Sequence, residues 1–169
     1  MENIEMERKF IVDYDHSFIQ HLREHFPKQE IVQYYIKTNT RTVMRLCKIT
    51  KQNDDVEYFL TVKFNIPESE HQTCYEVENK ISKGMYESLI QTDEPGFIIN
   101  SISKTRYYFA HDKHMFEIDV FDNSKHGLLI LIEVEFEKDD VVVIPDYLKN
   151  LSGFREVTND PQYFNCNLV

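Results

Sequence analysis

The sequence is poor in glycine, in cysteine and in positive charge, and it has no tryptophan. Its four glycines, Gly84, Gly96, Gly127 and Gly153, match neither the spacing of a P-loop nor that of a dinucleotide-binding turn, so bound phosphate must be held by side chains. The three cysteines, Cys47, Cys74 and Cys166, lie too far apart for paired zinc ligands, and they suit reduced thiols better than a disulfide frame. Long hydrophobic runs are missing as well. The longest, GLLILI, is far short of the roughly 20 residues a membrane helix needs. The charged opening MENIEMERKF lacks the apolar centre of a signal peptide, and the expectation is a soluble, cytoplasmic protein. Lysine and arginine number 19 against 29 acids, a net charge of −10 that makes duplex nucleic acid and anionic membranes poor partners.

What is present is a core and a pattern. A chain of 169 residues, 41% apolar and 13% aromatic, suits a single domain over 1–169. From Ile4 to Val12, apolar Ile4, Met6, Phe10 and Val12 share one parity and Glu5, Glu7 and Lys9 the other, which reads as a two-faced strand. Residues 16–26 place Phe18, Ile19, Leu22 and Phe26 at helical spacing ahead of Pro27. Seven more strands are expected at 31–38, 41–51, 56–65, 73–82, 98–110, 113–122 and 128–138, with short helices at 83–93 and 145–152. The fold class is therefore β-dominated α+β: an eight-stranded antiparallel closed β-barrel with a few short flanking helices. Eight strands enclose about enough room for side chains or one small ligand.

Charges recur at a spacing of two on several strands. Glu5, Glu7 and Lys9 share a face, as do Glu76 and Glu78, Lys104 and Arg106, Glu117 and Asp119, and Glu133 and Glu135. A single such pair is ordinary solvent-facing sheet, but repetition on at least four strands would, in a closed barrel, put eight carboxylates in one lumen with several lysines and arginines. Carboxylates packed there repel unless cations neutralise them, and hard divalent ions that also take phosphate oxygens are the natural answer. Lys and Arg grip the remaining phosphate oxygens.

At this point the residues resemble the CYTH domains, the triphosphate tunnel metalloenzymes. The resemblance rests on Glu5-Met6-Glu7-Arg8-Lys9, then QYYIKT with Tyr35, FLTVK ending in Lys63, the Glu76/Glu78 pair, KTRY with Lys104 and Arg106, FEID with Glu117 and Asp119, IEVEF with Glu133 and Glu135, and the tail from Arg155. It implies an eight-stranded tunnel that binds a triphosphate with Mg²⁺ or Mn²⁺. It further implies hydrolysis of tripolyphosphate, thiamine triphosphate or nucleotides, or cyclisation of ATP to cyclic AMP. Carried over, Glu5, Glu7, Glu133 and Glu135 are metal-side carboxylates, with Glu76, Glu78, Glu117 and Asp119 as further metal-site acids. Lys9, Lys63, Lys104 and Arg106 hold the phosphate chain, and Arg155 either closes one mouth or makes a surface ion pair. One segment departs from the pattern: TVMRLCKI supplies Arg45 but then Cys47 where the family has a second arginine, with Arg41, or Lys48 through a local bulge, as a substitute.

The expected chemistry is attack of water on a terminal phosphorus, with inorganic tripolyphosphate preferred because the short chain leaves little sequence for a nucleoside pocket. The general base is a carboxylate or, as the resemblance implies, Tyr35 activated by a neighbouring lysine such as Lys104, although a core or rim role for Tyr35 comes first in a chain of ten tyrosines. A non-catalytic binder of a phosphorylated ligand is the alternative of another class. His16, His21, His25, His111 and His114 are read as solvated. A homodimer is compatible with the sequence and not specified by it.

Overall fold

The computed structural model describes residues 4–38, 42–66 and 72–168. Eight long strands dominate: β1 (Ile4–Val12), β2 (Lys28–Ile36), β3 (Thr42–Lys51), β4 (Val56–Asn65), β5 (Gln72–Ile81), β6 (Ile98–His111), β7 (His114–Ser124) and β8 (Gly127–Phe136). They pair antiparallel in the order β5-β4-β3-β2-β6-β7-β8-β1, and the β1–β5 pairing closes the ring. A two-residue strand, β9 (Arg155–Glu156), adds to β1 beside Phe10 and Ile11. The expected closed, eight-stranded antiparallel barrel is what the chain forms.

Three short helices flank it: α1 (His16–His25), α2 (Lys83–Ile90) and α3 (Asp146–Lys149). Asp15 caps α1 by accepting from the backbone N–H groups of Ser17 at 2.7 Å and Phe18 at 3.0 Å. Pro27 follows at its other end, and the chain enters β2 at once, three residues earlier than the expected start at 31. Both later helices are shorter than the apolar spacing suggests. Gly96, at φ +75°, makes the turn that separates α2 from β6.

Alternation along each strand sorts the side chains to an outer and an inner side, which together hold three apolar clusters. Outside the barrel wall, Phe10 and Val12 of β1 pack with Phe116, Ile118, Val120, Ile130, Ile132 and Val134 beneath Phe18, Ile19 and Leu22 of α1. A second outer cluster joins Ile36, Leu46, Tyr58 and Leu60 to Tyr86 of α2. Inside, Ile11, Tyr35, Ile102, Phe121, Leu129 and Leu131 fill one end of the lumen, where Val157 and Leu168 of the C-terminal segment pack against them. The rest of the lumen is polar.

Candidate functional site

Closure aims one parity of every strand inward. Register pairs set the layers: Lys9 lies opposite Glu133, Glu7 opposite Glu135, Glu117 opposite Glu133, Arg106 opposite Asp119, Lys63 opposite Glu76, and Thr61 between Arg45 and Glu78. Glu7, Lys9, Tyr35, Arg45, Lys63, Arg106, Glu117, Glu133 and Glu135 line one cavity of about 100 Å³, together with Val43 and the C-terminal residues Phe164–Cys166. A wider vestibule of about 620 Å³ lies beside it, bordered by Glu76, Glu78, Glu117, Glu135, Glu137 and Asp140. Of the residues expected at the site, Glu7, Lys9, Tyr35, Arg45, Lys63, Arg106, Glu117, Glu133 and Glu135 meet in the cavity, and Glu76 and Glu78 stand at the vestibule. Glu5 is placed in β1 by its backbone, opposite Cys74. Arg41 lies outside the described residues.

The lumen is a mesh of ion pairs, not a set of facing carboxylates. Arg106 donates to both oxygens of Asp119, at 2.6 and 2.7 Å, and to Glu133 at 3.0 Å, and it also contacts Glu117. Lys9 Nζ stands 3.0 Å from Glu133 and 3.3 Å from Glu7. Lys63 lies 2.8 Å from Glu76, which Arg45 approaches at 3.8 Å, and Glu78 accepts from the Thr61 hydroxyl at 2.9 Å. The interleaved lysines and arginines offset these carboxylates directly.

Electrostatics follow from that mesh. Burial disfavours the charge on Lys9, yet Glu133 and Glu7 outweigh it and hold the ammonium above the ordinary lysine value. Burial likewise opposes the charge on Glu133, but Lys9, Lys104 and Arg106 keep that carboxyl well below the usual range. Glu117 goes the other way: burial raises it, and Arg106 offsets only part of the effect. Lys104 is pulled below its ordinary value by burial and by Arg106, despite its contact with Asp119.

Several residues sit differently from expectation. Lys104 does not line the cavity. Its side chain is fully buried, it pairs with Asp119, and it stands over the Phe121 ring in the apolar end of the lumen. Asp119, also fully enclosed, clamps Lys104 and Arg106 and does not face the open space. Tyr35 does face the cavity, but its hydroxyl donates to Gln33 at 3.0 Å, and burial pushes its phenol up against the pull of Arg45. A partner lysine at position 104 is therefore not what tunes it. Arg155 is exposed and donates to the Tyr163 hydroxyl at 2.8 Å, outside the cavity lining. Lys48 points to the outer face of a β3 ladder that runs without a bulge, so Cys47 is left without a cationic substitute from that position. His114 is buried, 3.4 Å from Asp140 at the vestibule wall, where a solvated histidine was expected.

Asn165 also lines the cavity, while Gln33 and Thr61 hydrogen-bond Tyr35 and Glu78. Gln33 and Thr61 share the inward parity of Tyr35 and Lys63, so strand alternation could have found them. Asn165 comes from the irregular C-terminal tail, where no periodicity exists to read.

Two features bear on what the site can hold. The buried Nε of Arg45 has no hydrogen-bond partner among the described residues, a donor left over in a cavity lined by cations. Carboxylate oxygens of Glu7, Glu133 and Glu135 reach the same space and are the donor class that Mg²⁺ or Mn²⁺ prefers. Among the described residues no three such groups stand gathered for an ion, because Lys9 and Arg106 hold two of them.

No family model matches the chain. It is 39% identical over 69 residues to the inorganic triphosphatase of Acetivibrio thermocellus, a stretch that covers 40% of each chain. A solved protein of Pyrococcus horikoshii shares the fold at a TM-score of 0.58 and 24% identity, over 80% of both chains. A protein of Bacillus halodurans, described as a candidate adenylate cyclase, shares it at 0.55 and 16% identity, over 89% of this chain and 99% of that one.

Proposed function

We propose that this chain, a CYTH-superfamily barrel in its fold and in its partial match to a triphosphatase, hydrolyses a triphosphate inside its lumen. Inorganic tripolyphosphate is the first candidate substrate, and Mg²⁺ or Mn²⁺ the cofactor. One observation carries this reading: Lys9, Arg45, Lys63 and Arg106 converge on a single small cavity in a protein of net charge −10. Concentrating cations there suits a polyanion.

Binding would exchange partners. Phosphate oxygens take over Lys9, Lys63, Arg45 and Arg106, and the carboxylates these residues now hold are released toward the same space. Glu7, Glu133 and Glu135, with Glu5 by resemblance, would hold the divalent ion, which would supply neutralisation of charge on the phosphate oxygens. Asp119 keeps Arg106 in place throughout. Glu117, at the junction of cavity and vestibule and with its carboxyl raised by burial, is positioned to take the proton of the attacking water. The water oxygen forms a bond to the terminal phosphorus as the bridging P–O bond breaks. Pyrophosphate leaves with its new charge on Arg45 and Arg106, and orthophosphate is the second product.

The vestibule gives a specific reason to keep a nucleotide reading, ATP cyclisation included, since about 620 Å³ beside the cavity has room for a nucleoside. Cys47 keeps a non-catalytic binder in view. Release of phosphate from tripolyphosphate, ATP and thiamine triphosphate with Mg²⁺ or Mn²⁺, with cyclic AMP followed in parallel, separates these readings. Binding of all three without turnover would overturn the enzyme.

A further inference from the structure

Lys9 is a lumen cation whose main chain is held by the C-terminal segment. A residue in an antiparallel strand points its N–H and C=O to the same edge, and both groups of Lys9 are bonded on the edge away from β8. Its C=O accepts from the Val157 N–H at 2.8 Å. A regular ladder would return the second bond from the Lys9 N–H to the Val157 C=O, but that carbonyl accepts from the Asp160 N–H at 3.0 Å, where the chain turns away. A side chain takes its place. The Lys9 N–H donates to the Thr158 hydroxyl at 3.1 Å, a buried rung that stands in for a backbone one.

Thr158 is itself fixed from the outer side of the barrel. Its hydroxyl donates to Glu156 at 2.7 Å, and Arg8 grips that carboxylate with two bonds of 3.0 and 2.7 Å. The same segment borders the far end of the lysine, with the Tyr163 C=O 3.5 Å from Nζ and the Phe164 ring centroid 5.8 Å from it. Thr158 lines neither the cavity nor the vestibule, so its link to the phosphate site runs through Lys9.

We propose, on the triphosphate reading above, that Thr158 is a positioning residue for Lys9 and sets where the ammonium stands in the lumen. Valine at this position has nearly the same shape but leaves the Lys9 N–H buried and unpaired, and β1 recovers that bond only by shifting. Such a shift carries Nζ out of line with Arg45, Lys63 and Arg106, which line the same cavity. Serine keeps the hydroxyl and with it the rung.

Titration calorimetry of pyrophosphate in the presence of Mg²⁺, on the full chain, tests this. Thr158→Val should weaken binding by about tenfold, the scale of one hydrogen bond left unmade, and Thr158→Ser should restore it. In a Lys9→Met background the valine substitution should have no further effect, since a residue that acts through Lys9 then has nothing to position. A merely structural loss would recur in that background. If Lys9→Met fails to fold, the serine rescue decides, and Thr158→Ser binding as weakly as Thr158→Val would overturn the proposal. A wild type that binds no pyrophosphate would overturn the triphosphate reading and this proposal with it. A wild type that binds, beside a Thr158→Val variant that binds equally well or loses as much with Lys9→Met as without it, would overturn the proposal alone.

Discussion

Arg106 and Asp119 meet as a two-toothed clamp, with Nε and Nη2 donating to the two carboxylate oxygens at 2.6 and 2.7 Å. Lys104 closes on the same carboxylate from the fully buried side. Asp119 is thus the counter-charge for two buried cations at once, and removing its charge leaves both uncompensated. Asp119→Asn should cost about 3–5 kcal/mol in urea unfolding. The same variant should raise KM for the triphosphate, because Arg106 loses its fixed orientation. Both changes should exceed those of Glu76→Gln, whose partner Lys63 stands nearer solvent.

Cys47 tests the departure from the CYTH pattern that the sequence resembles. It is buried on the inward face of β3, two positions from Arg45, with burial pushing its thiol up. Cys47→Arg would add a guanidinium to a lumen where Arg45 and Lys104 already contribute positive charge. Without ligand, the variant should melt below the wild type. With tripolyphosphate present, its melting temperature should rise by more than the wild type's does, since phosphate supplies the missing counter-charge. Equal shifts in thermal denaturation would mean that this position does not face the bound chain.

The exchange of partners in the lumen predicts coupled binding. Lys9 and Arg106 hold Glu133 in the absence of ligand, so Mn²⁺ alone should bind weakly. Pyrophosphate, used as a non-turnover probe, should strengthen Mn²⁺ binding by about 5–150-fold, the span of typical coupling energies. Titration calorimetry of Mn²⁺ with and without pyrophosphate reads this directly. Identical affinities would count against the exchange.

Much of this was legible in the chain because a strand repeats every two residues. The eight strands, the hairpin turns and the inward parity of Glu7, Lys9, Lys63, Arg106 and Glu133 follow from that alternation, and closure turned parity into a lumen. Alternation does not say which inward charge touches which. Lys104 and Arg106 look equivalent at a spacing of two, yet Arg106 lines the cavity and Lys104 lies fully buried against Asp119. Tyr35 reads as a candidate base until its depth and its Gln33 partner are known. The C-terminal residues 164–166, which line the cavity, lie in and beside short 3₁₀ turns that carry no periodic signal.

Helix α1 holds β1 from outside, and its cap titrates. The Ser17 hydroxyl and the backbone N–H groups of Phe18 and Ser17 hold the Asp15 carboxyl below its ordinary value of 3.8. A depressed carboxylate contributes stability that is present above the ordinary value and is lost as pH falls through the folded one. Asp15→Asn keeps a capping side chain but cannot titrate. The wild type should therefore be the more stable at neutral pH, and its advantage should shrink as pH drops below 3.8. Urea midpoints of both proteins across pH 2–7 check the sign; a gap that does not change with pH would remove the cap's charge from the account.

The most direct measurement is the rate of orthophosphate release from tripolyphosphate as Mg²⁺ or Mn²⁺ is titrated, for the wild type beside Arg106→Met and Glu133→Gln. The lumen reading predicts metal-dependent release by the wild type and a loss of about 10²-fold or more in each variant, the scale of removing one group that stabilises transition-state charge. No release with either metal, or release that neither substitution changes, would contradict it.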